Sequence, residues 1–166
     1  MEELAAARIG ATFNQYAGSR RLRERLVSYL DSRAAASVLL VGEAPGYRGA
    51  RVSGIPFTSE RQLTGQGPAE ASATIVQRTL AELALEQDTL LWNVVPTHPG
   101  TASSNRRPTR AEIEAGAVFA YVLARDRRLI AVGRVAHEVV GGDYVRHPAH
   151  GGAQAFRAGL LEFAAR

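Results

Sequence analysis

Four short apolar runs punctuate the chain: Val38 to Val41, Thr89 to Val95, Leu129 to Val132, and a weaker one at Tyr144-Val145-Arg146. Each is too short for a typical helix and rich in Val, Ile, Leu or aromatic residues, so each predicts a strand. Between them the apolar positions follow helical spacing. Ile75, Val76, Leu80 and Leu83 form one such stripe, and Ile113, Ala117, Ala120, Tyr121 and Ala124 form another. These predict the core faces of two helices. Strands that alternate with helices require crossover connections, so the expected fold is α/β: a three-layer αβα sandwich around a central four-stranded, mostly parallel sheet.

The punctuation agrees with that reading. Leu4 to about Ala35 predicts one broken helix or two short ones around Gly18-Ser19, with Ser19 placed to cap the second. Thr109-Arg110-Ala111-Glu112 has the form of a capping box, and Pro108 stands just before it. Tyr47 to Pro68 is rich in Gly, Ser, Thr and Arg without a sustained period, and a loop of that length in a compact domain is more often functional than idle. Gly141-Gly142 and Gly151-Gly152 each bound a predicted helix. A single domain over residues 1–166 is expected, with residues 1–35 as a helical segment packed on it.

Composition narrows the chemistry. With 166 residues and 46% hydrophobic content, the chain can bury a sizeable core. It has no cysteine, which excludes disulfides, thiolate zinc sites and a cysteine-held iron–sulfur cluster. No cofactor or metal is expected, and catalysis falls to oxygen and nitrogen groups. The start Met1-Glu2-Glu3-Leu4 lacks the pattern of a secretory signal, and no stretch is long enough to span a bilayer. A cytoplasmic monomer with no membrane partner is the expectation. Net charge is +4, and all 20 basic residues are arginine. Arginine matches phosphate bidentately, so a nucleic-acid partner fits, although a solvated surface accounts for the charge equally well.

Three predicted strand ends carry the candidate chemistry. The first is Gly42-Glu43-Ala44-Pro45-Gly46, a Gly/Pro turn directly after a buried strand, where open α/β sheets place their ligands. Its extension reaches Gly54-Ile55-Pro56-Phe57. Phe57 either caps the core beneath the loop or stacks on a flat ligand such as a nucleobase. The second is Asn93, after Leu90-Leu91-Trp92. An amide at an apolar strand end must be satisfied, either by a neighbouring backbone or by a ligand. Its adjacent donor and acceptor match the N3–H and O4 edge of uracil. The third is His147-Pro148-Ala149-His150-Gly151-Gly152. Pro148 biases His147 to an extended conformation, and the small residues around His150 leave room for a close approach to a duplex.

Taken in order, Gly42 to Gly46, Gly54 to Phe57, Leu90 to Asn93, Asn105-Arg106-Arg107-Pro108-Thr109 and His147-Pro148 resemble the uracil-DNA glycosylase superfamily. The resemblance runs from about residue 38 to 163. It is closest to the branch whose first motif reads GEAPG and which ordinarily holds a four-cysteine iron–sulfur cluster. Three departures stand out: there is no cysteine, the acidic residues that often follow the first motif are replaced by Tyr47-Arg48-Gly49-Ala50-Arg51, and Ala149 replaces the usual serine after His-Pro.

The resemblance implies a monofunctional DNA glycosylase of base-excision repair. Such an enzyme flips a deaminated base, uracil first among them, out of DNA and hydrolyses its N-glycosidic bond. It implies Phe57 as stacking platform, Asn93 as base reader and His147 as donor to uracil O2, with Gly42, Glu43 and Ala44 lining the base pocket. Ala44 occupies the position where other branches carry a water-orienting aspartate or asparagine. Glu43, the one ionisable group of the motif, either orients water or pins the loop. Arg51, Arg61, Arg106 and Arg107 are the candidate phosphate contacts, and Ala149, His150 and Gly151 the candidate probe of the vacated stack. A non-catalytic member of the fold that binds a damaged base or nucleotide is the alternative.

Overall fold

The computed structural model describes all residues, 1–166. Its sheet holds β1 (Val38–Gly42), β2 (Thr89–Asn93), β3 (Arg128–Val132) and β4 (Asp143–Val145), in the order β2-β1-β3-β4. Every pairing is parallel. Because side chains alternate along a strand, each face of the sheet collects its own core. Leu39, Val41, Leu90, Trp92 and Ala131 join Leu26, Ala117, Ala120 and Ala136 on one side. Val38, Leu40, Leu91, Ile130, Val132 and Val145 join Val76, Leu80, Phe156, Leu160 and Phe163 on the other. Central strands buried on both faces explain why these runs are continuously apolar.

The helices that supply these cores are α2 (Arg20–Ser32), α5 (Ala71–Glu82), α6 (Arg110–Ala124), α7 (Arg134–Val140) and α8 (Ala153–Ala164), with a short α1 (Glu2–Ala6) at the amino end. Ser19 caps α2, its side chain accepting from the Leu22 N–H at 3.3 Å. The long loop after β1 is not structureless: it contains two single-turn helices, α3 (Ala50–Ser53) and α4 (Glu60–Thr64). They were illegible because a helix of one turn shows no period. The second strand ends at Asn93 rather than Val95, where the chain turns away from the sheet. Tyr121 is also outside the core it was expected to join. It is half exposed, and its hydroxyl donates to the Val139 carbonyl at 3.2 Å.

The predicted capping box at α6 is present: the Glu112 N–H donates to Thr109 Oγ1, and the Thr109 N–H donates to Glu112 Oε2 at 2.8 Å. Glu112 does more than cap. It is 1% exposed, and its carboxylate also accepts from the Ala11 N–H at 3.1 Å and from both terminal nitrogens of Arg106 at 2.7 and 2.6 Å. One buried anion therefore ties the amino-terminal segment, the loop after β2 and the start of α6 together. Hydrogen bonding from Arg106, reinforced by the two backbone donors, pulls its carboxyl down to about 2.

A carboxyl held below its unfolded value stabilises the fold fully above the ordinary carboxylate range, and that contribution is lost as pH falls toward its folded value. Glu112→Gln is therefore expected to lower stability at neutral pH, since each buried donor left unsatisfied costs about 1–3 kcal/mol. The substitution should also flatten the acid limb. Denaturant melts from about pH 7 down to about pH 2 check both, and an acid limb as steep as the wild type's would contradict the assignment.

Candidate active site

Parallel pairing brings all four carboxyl strand ends to one edge of the sheet. The register sets Gly42 beside Asn93. On the other side of β1, the ends of β3 and β4 lead to Gly133 and to His147, where the Gly133 N–H donates to the Val145 carbonyl at 2.9 Å. Asn93 and the strand leading to His147 are thus three strand spacings apart, about 14 Å between backbones.

Gly42 is where the first two predicted groups meet. A Cβ built there would collide with the Cζ of Phe57 and lie 2.9 Å from Asn93 Oδ1. Only the absence of a side chain lets the ring and the amide approach the end of β1 together. Asn93 is 3% exposed, its amide has no hydrogen-bond partner within the chain, and neither of its polar atoms is sealed from solvent. A buried amide in that condition has its hydrogen bonds still to make.

Phe57 is held in an uncommon conformation, with φ of 50°. For a bulky residue that region costs on the order of 1–3 kcal/mol and persists only where neighbours enforce it. They do so here through hydrogen bonds. Gln77 Nε2 donates to the Phe57 carbonyl at 3.2 Å and to Thr58 Oγ1 at 2.9 Å, while Ser53 Oγ donates to the Thr58 carbonyl at 2.6 Å. The Tyr16 hydroxyl donates to the Gly54 carbonyl at 2.9 Å, just upstream. The ring is largely buried, so it packs on the core as well as bordering the cleft.

His147 follows β4 and is half-buried. Its Nδ1 accepts from the Ala149 N–H at 3.1 Å, which leaves the ring proton on Nε2 as a donor. Burial, and secondarily the neighbouring His150, hold its pKa below the ordinary imidazole value, so the neutral ring is the favoured form. His150 is exposed, with φ of 51°, at the tip of the loop that also carries Ala149 and Gly151. Gly152 is required behind it, because a Cβ there would strike the His147 carbonyl oxygen.

Glu43 and Ala44 are half-buried in the turn after β1, and Ala44 packs against the core. Burial raises the Glu43 carboxyl, and the nearby Arg107 pulls the other way. The candidate phosphate contacts do not form one group. Arg107 is exposed close to Glu43. Arg106 is committed to Glu112, with its side chain 37% exposed. Arg51 lies over the Phe13 ring, its guanidinium carbon 4.8 Å from the centroid. Arg61 is exposed and donates to the Gly67 carbonyl at 3.0 Å on the α4 loop. Two hollows along α2, one bordered by Arg25, Tyr29 and Leu63 and the other by Met1, Arg23 and Val27, share no residue with the strand-end cleft.

His98, which no motif marked, and Asn105 also shape this edge. His98 is fully buried. Its Nδ1 lies 2.8 Å from the Pro45 carbonyl and its Nε2 2.9 Å from that of Thr101, clipping the first turn to the loop after β2. Asn105 Oδ1 accepts from the Tyr47 N–H at 2.8 Å across the same junction. Phe13 and His98 exchange two backbone hydrogen bonds, which docks the amino-terminal segment there too. Thr97-His98-Pro99-Gly100 carried a signal, a histidine in a turn close after the Asn93 strand, but nothing in it showed which carbonyls the ring would meet.

A parallel four-stranded α/β sandwich with its polar groups gathered at the carboxyl strand ends is the class of protein this geometry defines. The family model described as the uracil DNA glycosylase superfamily matches residues 30–160, and the chain belongs to that superfamily. Among solved structures, the crystal structure of wild-type Pedobacter heparinus SMUG2 superposes with a TM-score of 0.68 at 12% identity, over 99% of this chain and 93% of that one. At that identity the likeness establishes the fold. No curated protein matches the chain in sequence.

Closing the space over Gly42 is the direct test of this geometry. Gly42→Ala, at a position whose backbone is open to any residue, is expected to destabilise the protein by about 1–3 kcal/mol through overpacking against Phe57 and Asn93. Chemical denaturation checks this, and a stability equal to the wild type's would show that the three groups are not in contact.

Proposed function

We propose that the protein is a DNA glycosylase that takes a flipped, deaminated base, uracil foremost, into the strand-end cleft and hydrolyses its N-glycosidic bond, leaving an abasic site. The observation that carries this reading is the unsatisfied Asn93 amide beside Phe57 at Gly42, with a neutral imidazole three strand spacings away. The Asn93 carboxamide would pair with the N3–H and O4 edge, Phe57 would cover one ring face, and the Nε2–H of His147 would meet O2.

The chemistry fits those groups. As the C1′–N bond breaks, its electron pair moves onto the base, and a donor fixed at O2 is strengthened only as that charge develops. A neutral imidazole with its proton committed to Nε2 needs no reorganisation to act as that donor. Water supplies the hydroxyl that ends on C1′, and its proton passes to a base or to solvent. Glu43 is the motif's own carboxylate for that role, and its pKa, raised by burial, favours a group able to take a proton. The same partial burial beside Arg107 serves equally to pin the turn. Enzymes that act on a base in duplex DNA must extrude it first, and the Ala149-His150-Gly151 tip, exposed at His150 and Gly151, would enter the gap. Arg107, exposed and beside the cleft, is the best-placed phosphate contact, with Arg51 next.

Ala44 favours a second reading, in which the site binds a damaged base without cutting it, because no water-orienting side chain projects from that position. Base release separates the two. Incubation with oligonucleotides carrying uracil, hypoxanthine or xanthine, single- and double-stranded, is expected to yield abasic product from at least one. Binding without product would favour the second reading.

His147→Ala is expected to lower the single-turnover rate by roughly 10²-fold or more, the loss typical of an oxyanion donor. An unchanged rate would remove it from the mechanism. Arg107→Gln should weaken DNA binding and reduce the slope of log affinity against log salt by about 1. Equal slopes would show that Arg107 touches no phosphate.

A further inference from the structure

Glu70 stands at the N-cap of α5, yet its side chain makes no hydrogen bond to the helix it precedes. The carboxylate turns instead onto the loop after β1. A Cβ built on Gly46 would collide with its Oε1, and one built on Gly49 with its Oε2, so this single side chain fills the space that side chains at both glycines would occupy. Its backbone N–H donates to Ser59 Oγ at 2.8 Å, which fixes it to the buried turn two residues after Phe57. Glu70 therefore lies where the Gly42-to-Gly49 loop and the Phe57 loop come together. The carboxylate has no cation beside it and no hydrogen-bond partner, but its oxygens are not sealed from solvent. Burial alone raises its carboxyl.

The edges of a bound pyrimidine decide what such a group does. Around the ring, O2 is followed by N3, then by the exocyclic group at C4, then by C5. If His147 holds O2 and Asn93 holds N3–H and O4, C5 points beyond Asn93, toward the walls farthest from His147. The loop of Gly46 and Gly49 lies on that side, because His98 and Asn105 of the chain after β2 hold the Pro45 carbonyl and the Tyr47 N–H, and the side-chain space of its glycines is taken by Glu70.

We infer that Glu70 is a specificity-determining residue whose carboxylate forms the wall against the C5 edge of the pyrimidine and excludes a 5-methyl group. A C5–H can rest against a carboxylate oxygen as a weak hydrogen bond. A methyl group would collide with it and strip water from a charge that is already poorly hydrated. This inference rests on the glycosylase reading of the cleft, and its test is built to fail separately.

The test measures single-turnover base release from duplexes with uracil or thymine opposite guanine, for the wild type, Glu70→Ala and Glu70→Gln. It also measures binding of the same duplexes carrying a non-hydrolysable 2′-fluoro sugar at the lesion. The wild type should discriminate against thymine, and Glu70→Ala should raise the thymine-to-uracil ratio by about 10-fold or more, within the range that one methyl group commands in a pocket. Glu70→Gln, which keeps the shape, should raise it less, and it serves as the test should the alanine variant fail to fold. A wild type that accepts thymine as readily as uracil would overturn the inference, as would a ratio unmoved in the folded variants. Discriminating binding without base release would sink the glycosylase reading and leave the Glu70 wall standing. Neither binding nor release would overturn both.

Discussion

Parallel hydrogen bonding between β2, β1, β3 and β4 is the constraint from which the site follows. Parallel strands all end on the same edge, so Gly42 and Asn93 lie side by side there, and the chain reaches His147 two residues beyond the end of β4 at that edge. Neither Asn93 nor His147 could be positioned by local sequence. Asn93 ends a strand buried along its whole length, whereas His147 follows a short edge strand that buries Val145 and leaves Tyr144 half exposed.

The loops beyond the strand ends have no such packing and are held by buried polar groups instead. Glu112 gathers the Ala11 N–H, the Thr109 N–H and the Arg106 guanidinium, while His98 bridges the carbonyls of Pro45 and Thr101. Asn105 adds a third clip, to Tyr47. The chain thereby draws together its amino-terminal segment, the turn after β1 and the loop after β2 with hydrogen bonds. Such networks are costly to leave half made, so they fix one arrangement of the loops rather than several.

Three residues at this edge depart from local preference. Phe57 takes up a strained backbone conformation, Asn93 keeps a buried amide unpaired, and Glu70 turns its carboxylate away from the helix end it could cap. Each is unfavourable in isolation and is enforced by neighbours: Gln77 and Ser53 for Phe57, the β1 and β2 ladder for Asn93, Ser59 for Glu70.

The sequence by itself determined the strands, the alternation of elements, the caps at Ser19 and Thr109, and the superfamily. Those depend on apolar period, turn residues and short motifs, all of which are written locally. It could not show that Arg106 pairs with Glu112, because the loop between them had no readable conformation. Nor could it place Tyr121 on the surface, since a helical stripe does not reveal how far the opposing layer extends. The tertiary structure alone decided that Gly42 is the contact point of Phe57 and Asn93, and that a carboxylate from residue 70 fills the space over Gly46 and Gly49. The physical reason is that side-chain identity is a local property, whereas the space a side chain occupies is set by every element packed around it.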